Sequence, residues 1–390
     1  MIWSPNYAPE LTGIPPLVTD AAEWLVQRGH EVHVAAPMPN YPQREIYESY
    51  RGRFFFTETL NGVVVHRSWL RVRPEERFVD KGLYELTAAT ASLAHVLRRI
   101  RRTDVLLCVV PTLLAAAYAA AIPGMPKVVL WVQDLVFEAS QSVEMSPLAR
   151  RATRVAASLE RFAVRRADRV IVCSPGFRDA YARTSPRADA IAVIYNWADL
   201  ERITGDPPSP GRSPVRFLYS GNLGYTQGLE TLIDAARLQS DAVAVDIVGA
   251  GNAERVITGL AESVPNITVR PPVQRDAFSE LLADHDAHIV VQRRAAAGAN
   301  LPSKIATYLA SGRPVIASID DRTSAAELLR ESGGALLVEP ESPRALADAM
   351  ERLRSDPALR VDLGRRARSF AERRLGKEQS LTQLEAVLFA

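Results

Sequence analysis

Lysine is scarce in this chain, and one lysine sits where an anion could be held. Of 47 basic residues, four are lysine (Lys81, Lys127, Lys304 and Lys377) and the other 43 are arginine. Lys304 lies in Asn300-Leu301-Pro302-Ser303-Lys304-Ile305-Ala306-Thr307-Tyr308-Leu309, followed by Gly312-Arg313-Pro314-Val315. Pro302 and Ser303 predict a helix start, with Ser303 as the capping residue. Ile305, Tyr308 and Leu309 recur at helical spacing and form a buried face, while Lys304 and Thr307 share another. Gly312 ends the helix and a buried strand follows. Helix amides beside a lysine suit a phosphate group. The plainer alternative is a surface helix with a solvated lysine.

Two glycine-rich stretches carry the same chemistry. Gly221-Asn222-Leu223-Gly224-Tyr225-Thr226-Gln227-Gly228 follows the apolar run Val215–Ser220, and Gly249-Ala250-Gly251-Asn252 follows Val243–Val248. Glycine lets backbone amides approach a phosphate closely. Each loop alone reads equally well as a tight turn. Gly249-Ala250-Gly251 lacks the third glycine of the dinucleotide fingerprint, which argues against NAD. Both loops and the Asn300–Lys304 stretch would fall on the C-terminal edge of one sheet, and that convergence points to a nucleotide site.

The elements that position these residues alternate strand and helix. In the first half, Met1–Ser4, Val32–Ala36, Val105–Val110, Val128–Val132, Val170–Cys173 and Ile191–Tyr195 read as strands with helices between them. Phe54–Phe56 and Val63–His66 read as a hairpin around Asn61-Gly62. Near-continuous apolar strands predict an α/β fold with parallel sheets covered on both faces. Ligands of such sheets sit beyond the strand C-termini, so the loops Pro9–Gly13, with Glu10, and Gln133–Glu138, with Gln133 and Asp134, are candidate site loops. The Pro/Gly/Ser-rich run Asp206–Pro214 predicts a boundary. The expected domains are therefore 1–200 and 215–376, joined by a linker over 201–214.

Composition narrows the classes. A net charge of +2 over 390 residues implies no field for nucleic acid. Cys108 and Cys173 lie in apolar runs and read as buried free thiols. His285-Asp286-Ala287-His288 reads as strand entry rather than a metal site. The long uncharged run Val105–Ile122 is interrupted by Pro111 and Thr112, so it predicts a strand and an Ala-rich helix rather than a membrane span. No signal peptide is visible, and the expected location is cytoplasmic. The arginine runs Arg98–Arg102 and Arg150–Arg166 have two readings, a solvated face or a patch for an anionic membrane surface at the inner face of the plasma membrane.

The motifs together resemble glycosyltransferase family 4, in its bacterial exopolysaccharide and colanic-acid branch. They are Ser4-Pro5-Asn6-Tyr7-Ala8-Pro9-Glu10-Leu11-Thr12-Gly13, Glu23 through Val32, Tyr219 through Glu230, Val248 through Gly251, and Leu301-Pro302-Ser303-Lys304 through Val315. The resemblance implies the GT-B fold, two Rossmann-like domains facing across a cleft, with the last helix (377–390) packing back on the first domain. It implies a retaining, metal-independent transfer of a hexosyl-type sugar from a nucleotide sugar to a glycan acceptor, lipid-linked, without a cofactor. Around the donor it places Gly13, Gly221, Asn222, Gly224, Gln227, Gly249 and Gly251, together with Asn300, Ser303, Lys304 and Thr307. Gln133 and Glu138 fall on the acceptor side, and Asp134, Lys304 and Glu10 are the catalytic candidates. The chain departs from the common family pattern. Ala299 and Thr307 stand where two glutamates are usual, Asn222 and Gln227 where an Arg/Lys pair is usual, and Gln133 where a histidine is usual. Two other readings stand beside this one. A GT-B-fold UDP-sugar 2-epimerase would bind the same donor and alter it without acceptor, and a non-catalytic glycosyltransferase-like subunit would bind no nucleotide.

Overall fold

The computed structural model describes residues 1–390 except 12, 42, 74–77, 136–146, 184–187, 206–207, 209–210 and 297–300. The chain forms two compact units. One comprises Met1–Tyr195 with Ala299–Leu301 and Leu381–Ala390, and the other Asn196–Gly298 with Pro302–Ser380.

The first unit is built on strands β1 (Ile2–Trp3), β2 (His33–Pro37), β3 (Phe55–Leu60), β4 (Val63–Ser68), β5 (Val105–Val110), β6 (Lys127–Val132), β7 (Arg169–Val172) and β8 (Ile191–Val193). Their order is β3-β4-β2-β1-β5-β6-β7-β8. The hairpin β3–β4 is antiparallel, turning at Asn61 and Gly62, both with positive φ, and the other pairings are parallel. β5 is buried along its whole length, which is why its sequence runs without a polar residue. Burying each Val or Leu of such a strand contributes about 1.5–3 kcal/mol. β1 has only two residues, yet it lies between β2 and β5, and the Trp3 indole donates to Ser92 Oγ at 3.1 Å. The run Val105–Ile122 is β5 followed by helix Leu113–Ala121, and among the described residues no helix is long and apolar enough to cross a membrane. Both cysteines are free and buried. Residues of the last helix, Lys377–Phe389, pack within this unit. Glu385 accepts from His30 at 2.7 Å, Phe389 stacks on His30, and Lys127 Nζ donates to the carbonyls of Val387, Leu388 and Ala390.

The second unit has β9 (Val215–Asn222), β10 (Val243–Ala250), β11 (Ile267–Arg270), β12 (Ala287–Val291), β13 (Val315–Ser318) and β14 (Ala335–Val338), all parallel, in the order β11-β10-β9-β12-β13-β14. β9 and β10 each run two residues further than their apolar runs, so Gly221-Asn222 and Gly249-Ala250 belong to strands and pair in register. The edge strand β11 has half-buried and exposed residues in alternation, which leaves no continuous apolar run to read. The described residues of the expected linker, 201–214, fall within this unit. Arg368 donates to the carbonyls of Ile203 and Ala310, and the Gly312 backbone lies against Gly205.

Candidate active site

In the second unit, Lys304 opens helix Lys304–Ala310. Ser303 precedes it with helical φ and ψ and makes no capping bond, so the expected cap is absent; the Ile305 amide donates to Pro302 O instead, and Ser303 is exposed. The Lys304 ammonium is the notable group. Its Nζ lies 3.7 Å from the centroid of the Tyr219 ring. It is buried and has no hydrogen-bond acceptor among the described residues. Burial alone lowers its pKa from 10.5 to about 7. Gly221 makes the room. A Cβ there would stand 3.1 Å from Nζ and 3.2 Å from Cε, and its φ of +130° is one that side chains rarely adopt.

The elements behind Lys304 are tied down. The Tyr219 hydroxyl donates to Asn222 O at 2.8 Å and makes a long 3.5 Å approach to Gln227 Oε1. The Ser220 amide donates to the Tyr308 hydroxyl at 2.7 Å, and burial pushes that phenol up to about 12. His288 stacks on Tyr308 and bonds Ser311 Oγ at 2.9 Å, so it is a core residue, held neutral by burial. Thr307 is half-buried on the same helix. Asn300 lies outside the described residues.

The glycines divide into two kinds. Gly228 opens helix Leu229–Arg237 in the left-handed conformation. Gly249 and Gly251 serve the packing of one loop on the other. A Cβ on Gly249 would stand 1.9 Å from Gly221 O, and one on Gly251 would stand 2.5 Å from both Asn222 Oδ1 and Leu223 O. Leu223 N donates to Ala250 O, and Ala253 N to Leu223 O. Gly224 has a similar reason, since its Cβ would meet Asn222 Nδ2 at 2.8 Å.

Arg293, just beyond β12, was not singled out by the sequence. Its amide donates to Thr226 O, its Nε to Tyr225 O at 2.7 Å, and its guanidinium pairs with Glu230 at 3.0 Å, so it clamps the first glycine loop. Its position directly after a buried strand, at the edge where ligands gather, is the signal that could have found it.

In the first unit, Glu10 is buried and committed. Its carboxylate accepts from the Asn40 amide (2.9 Å), the Tyr41 amide (2.8 Å), the Tyr7 amide (3.1 Å) and Asn6 Nδ2 (3.0 Å). This geometry makes it a brace between two strand-end loops, where the sequence suggested chemistry. Arg67, also missed, is fully buried in the same knot. It pairs with Glu58 at 2.8 Å, donates to Ala8 O, and lies over the rings of Tyr7 and Tyr50. Gly13 is exposed, with φ +84° and 3.9 Å from a built Cβ to Tyr41 Cε1. Beyond β6, Gln133 is buried and its amide donates to Val110 O. Asp134 is half-buried, and burial pushes its carboxyl up to about 6. Burial first, with smaller contributions from the Glu10 and Asp134 charges, raises the Tyr41 phenol above its usual value. Glu138 lies outside the described residues. Among the described residues, no group of three His, Cys, Asp or Glu side chains could hold a metal ion.

Each half of the chain matches a family model. Residues 12–197 match the glycosyl transferase 4-like domain, and residues 214–356 match glycosyl transferases group 1. A curated Escherichia coli (strain K12) protein, named as a colanic acid biosynthesis glycosyl transferase, WcaI, is 30% identical over 409 residues, covering 98% of each chain. Among solved structures, a sucrose-phosphate synthase from Thermosynechococcus elongatus superposes with a TM-score of 0.75 at 18% identity, over 99% of this chain and 97% of its own. Anabaena HepE, solved in complex with UDP and glucose, gives 0.71 at 18% identity, over 100% and 99%. WaaG, a glycosyltransferase involved in lipopolysaccharide biosynthesis, gives 0.67 at 15% over 98% of each chain.

Proposed function

Because the chain belongs to glycosyltransferase family 4, with the GT-B fold and in the exopolysaccharide and colanic-acid branch, we propose that it is a retaining transferase moving a sugar from a nucleotide sugar to a lipid-linked glycan. The observation that carries the donor half is the buried Lys304 ammonium, without an acceptor among the described residues, against Gly221 and the face of Tyr219. A diphosphate supplies the counter-charge that this group lacks, and the charge that builds on the leaving phosphate is then met inside a dry site, where it matters most. HepE, of the same fold, is solved with UDP-glucose, which supports a nucleoside diphosphate sugar as the donor class.

On this reading Gly221, by clearing space, and Tyr219, by its ring face, keep the lysine in place. Arg293 fixes the loop carrying Asn222, Gly224 and Gln227. Thr307, Asn300 and the Ser303 end of the helix contact the donor. In the first unit Asp134 faces the acceptor hydroxyl with Gln133 and Glu138, and Glu10 shapes that site by bracing its loops rather than by moving a proton. Retention proceeds on the front face, with the leaving phosphate taking the acceptor proton, and no metal or cofactor takes part. The enzyme works on the cytoplasmic face of the membrane, its arginine runs meeting anionic lipid.

Calorimetry with UDP, GDP and dTDP sugars tests the donor, and a transfer assay with and without EDTA tests the chemistry. Lys304→Ala is expected to weaken donor binding about 10- to 100-fold. Transfer by that variant at near the wild-type rate would sink the phosphate role. Alteration of the sugar without acceptor would replace the transferase reading with epimerisation, and binding of no nucleotide at all would replace it with a non-catalytic subunit.

A further inference from the structure

The edge hairpin of the first unit carries a basic recess built on the Arg98–Arg102 run, which the proposed function uses only as surface charge toward anionic lipid. A recess of about 410 Å³ lies between β3–β4 and the end of helix Phe78–Arg99, lined by Phe55, His66, His95, Arg98, Arg99 and Arg102. That volume is in the range of small-molecule sites. The three arginines converge because the helix tightens into a 3-10 turn at Ile100–Arg102, and positions 98, 99 and 102 share one side while Arg101 does not line the recess. Arg98 and Arg102 are exposed and form no ion pair among the described residues. Arg99 Nη1 lies 3.1 Å from His33 Nε2. The carboxylate that reaches this cluster, Glu31, meets the same His33 nitrogen at 2.8 Å and is itself 84% exposed.

The floor is a stack of imidazoles. His66 lies 5.3 Å from His95 and 5.3 Å from His33, ring to ring. His33 Nδ1 bonds His66 Nε2 at 3.2 Å, Thr57 Oγ1 bonds His66 Nδ1 at 3.2 Å, and His95 Nε2 bonds the Arg67 carbonyl. Phe55 packs edge-on against His95. Burial first, and the nearby arginine charges second, hold His66 down to about 4 and His95 below its usual value. The arginines thus crowd positive charge around the His66 and His95 imidazoles, which stay neutral, with little carboxylate among the described residues to balance it.

We propose that this recess is a second binding site, for a phosphate or diphosphate anion held by the Arg98, Arg99 and Arg102 guanidiniums. Planar guanidiniums bind such groups with paired, charge-assisted hydrogen bonds. The anion is either free in solution or the headgroup of a lipid, and the site does not depend on the donor assignment.

The test uses the full chain with 15N-labelled histidine, titrated with inorganic phosphate and then with pyrophosphate. Pyrophosphate is expected to move the His66 and His95 ring signals saturably, and to the same extent in Lys304→Ala, which separates this site from the donor end. The double variant Arg98→Gln/Arg102→Gln, at exposed positions, is expected to weaken that response about ten-fold or more. Signals unmoved by either anion, or moved as strongly in the double variant, would overturn the proposal. Vesicles of phosphatidylglycerol, with phosphatidylcholine as control, then identify the source. Competition with pyrophosphate means a headgroup, and its absence means a free anion.

Discussion

Replacing Lys304 by Met keeps the length of the side chain and removes its charge. The lowering of the lysine pKa from 10.5 to about 7 means that the charged form costs the folded protein roughly 5 kcal/mol at low pH, and about 4 kcal/mol at pH 7, where it is half protonated. The Tyr219 ring, 3.7 Å from the ammonium, returns about 2 kcal/mol of that. Lys304→Met is therefore expected to stabilise the protein without ligand by about 2 kcal/mol at pH 7, a rise of roughly 4–8 °C in melting temperature. The sign with pH follows from the lowered value. The unfolded chain binds the extra proton between pH 7 and 10.5, so the wild type gains stability as pH rises through that window. The advantage of the variant is largest below pH 7 and gone above 10.5. Thermal unfolding from pH 6 to 10, with and without UDP, reads all of this. UDP should raise the melting temperature of the wild type and much less that of the variant. A variant less stable than wild type at pH 7, a difference that does not shrink as pH rises, or equal stabilisation of both by UDP would each refute the reasoning.

Three further outcomes are expected. Gly221→Ala places a methyl 3.1 Å from Lys304 Nζ in a backbone conformation rarely open to it, so donor affinity should fall about ten-fold with about 1–3 kcal/mol of strain; unchanged calorimetry would contradict this. Glu10→Gln leaves one acceptor oxygen for four donors, costing about 2–3 kcal/mol in urea unfolding, and an unmoved midpoint would remove the brace. Asp134→Asn removes the carboxylate that orients the acceptor hydroxyl, so a rise in kcat/KM centred near pH 6, the value to which burial pushes that carboxyl, should be lost; the same rise in the variant would clear Asp134.

Much of the fold was legible because parallel strands buried on both faces run apolar without a break, as β5 does. β11 was not, because an edge strand with alternating exposure has no such run. At the site, Lys304 stood out by rarity, and Gly221 beside it by motif. The role of Glu10 was hidden because its main donors, Asn40 and Tyr41, are some thirty positions away in the chain. Arg67, Arg293 and the His33–His66–His95 stack were hidden for the same reason, since each gains meaning only from partners on other elements. Ser303 shows the opposite error, a residue with the right chemistry for a cap and the wrong backbone for one.

The closeness of the two glycine loops has a consequence for motion. Gly221 O and the Gly249 backbone leave no space for a methyl group, and the amides of Leu223 and Ala253 bond across from one loop to the other. Neither loop can breathe alone. The pair shifts as one plate or not at all, so an anion that orders the first loop also slows the second, and the Leu223 and Ala253 amides should exchange with solvent at a common rate.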